Sequence, residues 1–219
     1  MSARREPLPL AIVISGRGSN MLAIARACGT GNINARVTRV IADRAAAAGL
    51  ASAGEMGLST AVVPSTPGGR PGFEAALARE IDASGAELVA LAGFMKILSP
   101  DFVARYTGRL LNIHPSLLPD YKGLHTHRRV LEEGAVRHGA SVHFVTAELD
   151  GGPVVLQAAL QVVAGETEQT LSARVQRLEH RIYPQVIGWM ASGRLAWRGA
   201  PWLDGAPLTR PVLQQESAD

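Results

Sequence analysis

The strongest constraint on this chain is an alternation. Aliphatic and β-branched runs at residues 8–15, 36–42, 59–63 and 88–92 are separated by stretches of helical spacing at 21–28, 45–56 and 73–84. Strands joined through a helix cannot pair as a hairpin, because the crossover returns the chain to the same end of the sheet and makes the strands parallel. The spacing therefore predicts an α/β fold of Rossmann-like type, with a mostly parallel central sheet and helices on both faces. A fifth run, Leu110, Leu111 and Ile113, follows a helix that Ser99 opens as N-cap with Pro100 at the first helical position. Two more β-rich stretches, 140–146 and 154–163, flank a turn dense in breakers. From Thr167, a cap candidate, a long amphipathic helix runs through Leu171, Val175, Leu178, Ile182 and Val186.

These elements predict one domain over residues 1–206, since 219 residues at 47% hydrophobic and 19% charged content suffice for one good core. Short strands are expected past Gly193, a surface loop at 64–72, and a loose tail over 207–219. The single cysteine, Cys28, excludes a disulfide framework and a multi-cysteine zinc site, and reads as a small core residue of the first helix. No apolar run approaches a membrane span, and the first strand is too short for a signal peptide, so a cytoplasmic location is expected. The net charge of +3 comes without a basic block, which suits anionic small molecules better than nucleic acid.

The chemistry concentrates where the fifth run ends. Asn112 and His114 stand two apart and so share one side of a strand, while Pro115 and Pro119 force an irregular exit. An amide donor beside an imidazole can stabilise an oxyanion while moving a proton; a satisfied core histidine beside a turn asparagine is the other reading. Asp150, in Leu149-Asp150-Gly151-Gly152-Pro153, is either a turn former or a carboxylate presented to His114 that holds its ring. Between the first strand and helix, Gly16-Arg17-Gly18-Ser19-Asn20 lacks the third glycine of a dinucleotide fingerprint, Met21 standing there, and no Walker lysine follows. That argues against NAD and ATP. A helix start bearing Gly18, Ser19 and Asn20 suits a single phosphate, a purely structural turn being the alternative. His114, His125 and His127 have no cysteine or obvious carboxylate beside them, so no metal is expected.

Residues 112–119, Asn-Ile-His-Pro-Ser-Leu-Leu-Pro, together with the 149–153 turn, resemble the signature of the folate-dependent formyltransferases. Ser15-Gly16-Arg17-Gly18-Ser19-Asn20, Leu91-Ala92-Gly93-Phe94-Met95 and Gly123-Leu124-His125-Thr126-His127-Arg128 narrow the resemblance to the branch acting on glycinamide ribonucleotide in purine synthesis. The resemblance implies the formyltransferase variant of the Rossmann-like fold. It also implies transfer of a formyl group from 10-formyltetrahydrofolate, as co-substrate, to the substrate amine, with no metal and no nucleoside triphosphate. It places catalysis on Asn112, His114 and Asp150, and the ribonucleotide on Gly18, Ser19, Asn20, Gly93 and Glu179. The folate falls on Arg70, Met95, Lys96, Ile97, Leu98, Asn112, Thr146 and Asp150. Lys122 and Lys96 depart from the pattern, which commonly has proline and arginine there. The implied partners are these two small molecules, with neither nucleic acid nor membrane, and the assembly is a monomer or a homodimer. The rivals are methionyl-tRNA formyltransferase, which carries an extra C-terminal domain, formyltetrahydrofolate deformylase, which usually carries an N-terminal one, and a non-catalytic nucleotide-binding protein needing only the glycine loop.

Overall fold

The structure is a computed structural model that describes residues 6–64 and 68–216. The alternating part comprises β1 (Leu8–Ile14), α1 (Ser19–Gly29), β2 (Ala35–Ala42), α2 (Ala48–Glu55), β3 (Thr60–Val62), α3 (Gly69–Ala83), β4 (Leu88–Leu91), α4 (Pro100–Arg105) and β5 (Leu110–His114). There follow α5 (Thr126–Glu132), β6 (Arg137–Phe144), β7 (Val154–Gln161) and α6 (Glu168–Ala191). Three short strands, β8 (Leu195–Trp197), β9 (Pro201–Leu203) and β10 (Ala206–Pro207), form a small separate sheet, and β11 (Val212–Gln215) ends the described chain.

The main sheet has eight strands in the order β11-β7-β6-β5-β4-β1-β2-β3. Only β6 is antiparallel to its neighbours; the other pairs are parallel. Strand alternation divides the core into two layers. Leu10, Ile12 and Ile14 of β1 join Met21 and Ile24 of α1 and the apolar stripe of α6, whereas Ala11 and Val13 join Phe73 and Leu77 of α3 and Phe102 of α4. Helices thus cover both faces. The Tyr183 hydroxyl of α6 lies 3.0 Å from the carbonyl oxygens of Leu91 and of Leu111, a buried bond worth about 1 kcal/mol net that fixes α6 beneath the ends of β4 and β5.

The caps follow the sequence. Ser99 Oγ accepts the Phe102 N–H, and Thr167 forms a reciprocal capping box with Thr170. Elsewhere the boundaries shift. The second helix begins at Ala48 rather than 45, because Ala47 is extended. The third begins at Gly69 rather than 73, since Pro71 falls in the first turn, where its missing N–H costs no helical bond. The expected loop at 64–72 therefore ends in helix, and its residues 65–67 lie outside the described residues. The loose tail expected over 207–219 is corrected: Val212–Gln215 pairs in parallel with Leu156–Ala159 and supplies the outermost strand, residues 217–219 lying outside the described chain. Its pattern was hard to read because an edge strand of four residues offers no long apolar run. Among the described residues no helix is long and apolar enough to cross a membrane.

Candidate active site

Strand order reverses at β1, with β2 on one side and β4 on the other, and it is at the C-terminal ends of strands around such a switch that open α/β sheets leave a crevice. Two cavities occupy it. The larger, about 530 Å³, is lined by residues 15–20 of the glycine loop, Arg44, Gly93, Met95, Pro115, Gln176 and Glu179. Gly18 adopts φ 74°, and a Cβ there would approach the Gly49 Cα to 2.9 Å, so the loop needs glycine both for conformation and for contact with α2. Ser15 joins this loop to the one after β4: its N–H donates to the Gly93 carbonyl at 3.2 Å and its Oγ accepts the Met95 N–H at 3.0 Å. On the α6 side, Gln176 donates to Ser19 Oγ at 3.0 Å and Asn20 donates through Nδ2 to Glu179 Oε2 at 2.8 Å. Burial pushes the Glu179 carboxyl up to about 7, the Asn20 hydrogen bond opposing it.

The second cavity is a slot of about 100 Å³ walled by Phe94, Lys96, Ile97, Leu98, Asn112 and Val145 and closed by residues 146–150. Its apolar wall is held from below: the buried Glu74 carboxylate accepts the Ser99 N–H at 2.6 Å and the Ser99 hydroxyl at 2.5 Å. The expected contacts divide between the two cavities. Lys96, Ile97, Leu98, Asn112, Thr146 and Asp150 line the slot, and Gly18, Ser19, Asn20, Gly93 and Glu179 the larger cavity. Met95, expected beside the folate, lines the larger cavity instead, because its N–H is drawn to Ser15. Arg70 stands on the exposed first turn of α3 and lines neither.

Asn112, His114, His143 and Asp150 form one cluster. Asn112 and His114 lie on the same side of β5, and β6 pairs with it so that His143 stands opposite Asn112. The backbone carbonyl of Phe144 lies 2.9 Å from His143 Nδ1, which therefore carries the proton, and the bare Nε2 accepts from Asn112 Nδ2 at 3.1 Å. Burial pushes the His143 imidazole below its ordinary value, in keeping with a neutral acceptor. His114 is set in the same way: Nε2 donates to the Tyr121 carbonyl at 2.9 Å, which leaves Nδ1 facing Asp150 Oδ2 at 3.4 Å. Asp150, at φ 48°, also accepts the Gly123 N–H on Oδ2 at 2.9 Å, while its Oδ1 lies 3.7 Å from His143 Nε2.

Ser141 and Gln157, from β6 and β7, fix the segment after His114. Ser141 Oγ donates to the Ser116 carbonyl at 2.6 Å and accepts the Leu118 N–H at 3.0 Å, and Gln157 donates to the Leu118 carbonyl at 2.8 Å. Lys122 meets Glu148 at 2.6 Å, so the departure from proline joins the 119–127 segment to the loop that closes the slot. His127 turns to His138 at 3.0 Å, and among the described residues no three His, Cys, Asp or Glu side chains converge in a metal-binding arrangement. Sequence reasoning missed His143, Ser141, Gln157 and Gln176. Each acts across strands or between helices, and only a known pairing of β5 with β6 could have pointed to the first two.

The formyl transferase family profile matches residues 8–187. The phosphoribosylglycinamide formyltransferase of Escherichia coli (strain K12) is 53% identical over 201 residues, covering 91% of this chain and 95% of that protein. A protein of the same name from Haemophilus influenzae is 39% identical over 209 residues, covering 94% and 99%. The solved phosphoribosylglycinamide formyltransferase of Coxiella burnetii, in complex with CHES, has a TM-score of 0.91 at 44% identity, covering 95% of this chain and all of that one.

Proposed function

Because the chain belongs to the formyl transferase family, we infer that the cluster of Asn112, His114 and Asp150 is the catalytic centre of its reaction. The reaction transfers the formyl group of 10-formyltetrahydrofolate to the amino group of glycinamide ribonucleotide, giving formylglycinamide ribonucleotide and tetrahydrofolate in de novo purine synthesis. The observation that carries the assignment of roles is the fixed tautomer of His114, whose Nε2–H is committed to Tyr121 while Nδ1 faces Asp150.

The amine nitrogen attacks the formyl carbon, the carbonyl electron pair moves onto oxygen, and the substrate nitrogen becomes an ammonium. An oxyanion needs a donor already aimed at it, and Asn112 fits: His143 accepts one N–H of its amide and so orients the other. His114, its ring oriented by Asp150, is the second donor. Asp150 receives the ammonium proton, directly or through water, on Oδ1, since Oδ2 is engaged by Gly123. Breaking the bond from the formyl carbon to the folate nitrogen, with return of a proton to that nitrogen, completes the transfer.

The ribonucleotide occupies the larger cavity with its phosphate at the start of α1, where Gly18, Ser19 and Asn20 present N–H groups and a helix dipole, and Glu179 accepts from the ribose. The folate ring enters the apolar slot against Ile97 and Leu98, with Lys96 toward its anionic tail. Arg70 and Met95, neither of them in the wall of the slot, are the remaining folate contacts in this reading. The protein works in the cytoplasm as a monomer or homodimer, without nucleic acid. An assay of formyl transfer with and without glycinamide ribonucleotide tests the reading. Transfer that requires the ribonucleotide is the expected result, and release of formate without it would point to a deformylase.

A further inference from the structure

Asp43, at the end of the β2 run, is a buried carboxylate that the formyl-transfer chemistry does not use; its side chain is only 4% exposed. It is held in place by its own N–H, which donates to the Ile14 carbonyl at 3.3 Å, beside the glycine loop. Its two oxygens face different cations. Oδ1 accepts Arg44 Nε at 3.2 Å, and Oδ2 lies 3.8 Å from Lys96 Nζ, which also sits over the Phe73 ring at 5.2 Å. Arg44 lines the larger cavity and Lys96 lines the slot. One buried charge therefore anchors a cation in each of the two cavities. A charge so deeply placed is stable only while it stays paired, which ties the two long side chains to their positions.

Resting on the assignment of the larger cavity to the ribonucleotide, we propose that Arg44 is a phosphate-binding residue and that Asp43 is the shared positioning residue of the two substrate sites. Arg44 uses Nε on Asp43, which leaves its two terminal nitrogens for a phosphate at the neighbouring glycine loop. The loop's amides alone carry no full positive charge; Arg44 supplies it. Lys96 is held over the slot by the other oxygen of the same carboxylate, so loss of Asp43 loosens both cations at once.

The test is the pattern of KM and kcat for both substrates in wild type, Arg44→Gln, Arg44→Lys and Asp43→Asn, with the phosphate-free ribonucleoside as an alternative acceptor. Arg44→Gln is expected to raise KM for the ribonucleotide about three- to tenfold, to leave KM for the folate within about twofold, and to have no such effect on the ribonucleoside; Arg44→Lys recovers part of the loss. Asp43→Asn is expected to raise both KM values by about threefold or more, with kcat falling by a smaller factor. An Arg44→Gln effect that is absent, or equal for the ribonucleoside, overturns the phosphate role. An Asp43→Asn effect on one substrate only, or on kcat alone, overturns the shared anchor. Should Asp43→Asn melt below the assay temperature, Asp43→Ser reads the same two KM values. Wild-type enzyme that does not formylate the ribonucleotide at all would instead refute the functional reading, a result separate from any variant pattern.

Discussion

Glu179 and Asn20 show how single side chains shape the larger cavity. The carboxyl of Glu179 is raised to about 7 by burial, against 4.5 when unfolded. Below the unfolded value both states are protonated and the group is neutral in its effect on stability. Between the two values the unfolded chain ionises while the folded chain does not, so stability falls as pH rises from about 4.5 to about 7 and is constant above that. Glu179→Gln removes this loss, of the order of 3 kcal/mol at most. Its melting temperature relative to wild type should climb from pH 5 to pH 7 and then level off, as thermal unfolding across that range will show. His143 contributes in the other direction, losing stability as pH falls below the ordinary imidazole range, because burial lowers its folded value. Asn112, His114 and Asp150, which the structure brings together, were legible as candidates because each pairs a reactive group with a strand end or a breaker-rich turn. His143 was not, being one of six histidines and lying inside a buried strand whose partner the sequence does not reveal.

At the level of elements, the strand alternation and both predicted side-chain caps were legible, because period, proline and capping chemistry are local. The side to which each residue after β4 turns was not. Met95 faces away from Lys96 and Leu98 because Ser15, 80 residues earlier, captures its N–H. The loops carry the dynamics. A slot of about 100 Å³ is well below the ~300–1,000 Å³ usual for ligand sites, so a bicyclic ring can enter only if residues 146–150 move outward and then repack. That loop is tied by Gly123 N–H to Asp150 and by Lys122 to Glu148, the latter pair partly exposed and worth little alone. A folate analogue should therefore slow amide exchange across 146–153, while the ribonucleotide alone should protect little beyond residues 15–22. Exchange that slows first in the glycine loop on adding folate alone would show the two ligands in exchanged places.

For the whole molecule, the sheet places two cavities at one switch point and uses a single antiparallel strand, β6, to bring His143 and Ser141 beside β5. The sequence showed the parallel half, since helices mark its crossovers, but not that the chain returns at its end to cover β7. Truncation after Leu208 removes β11 and bares the β7 edge; it should lower the melting temperature and promote association, measurable by thermal unfolding and light scattering. The central claim is that the reaction depends on proton transfer by the His114–Asp150 pair beside the oriented Asn112 amide. It is tested most directly by single-turnover formyl transfer from 10-formyltetrahydrofolate to glycinamide ribonucleotide, in wild type, His114→Ala and Asp150→Asn, with both dissociation constants measured alongside. The account predicts that each variant folds, binds both substrates within a few-fold of wild type, and slows the chemical step by ~10²–10⁴. A chemical step in either variant within a few-fold of wild type would contradict it.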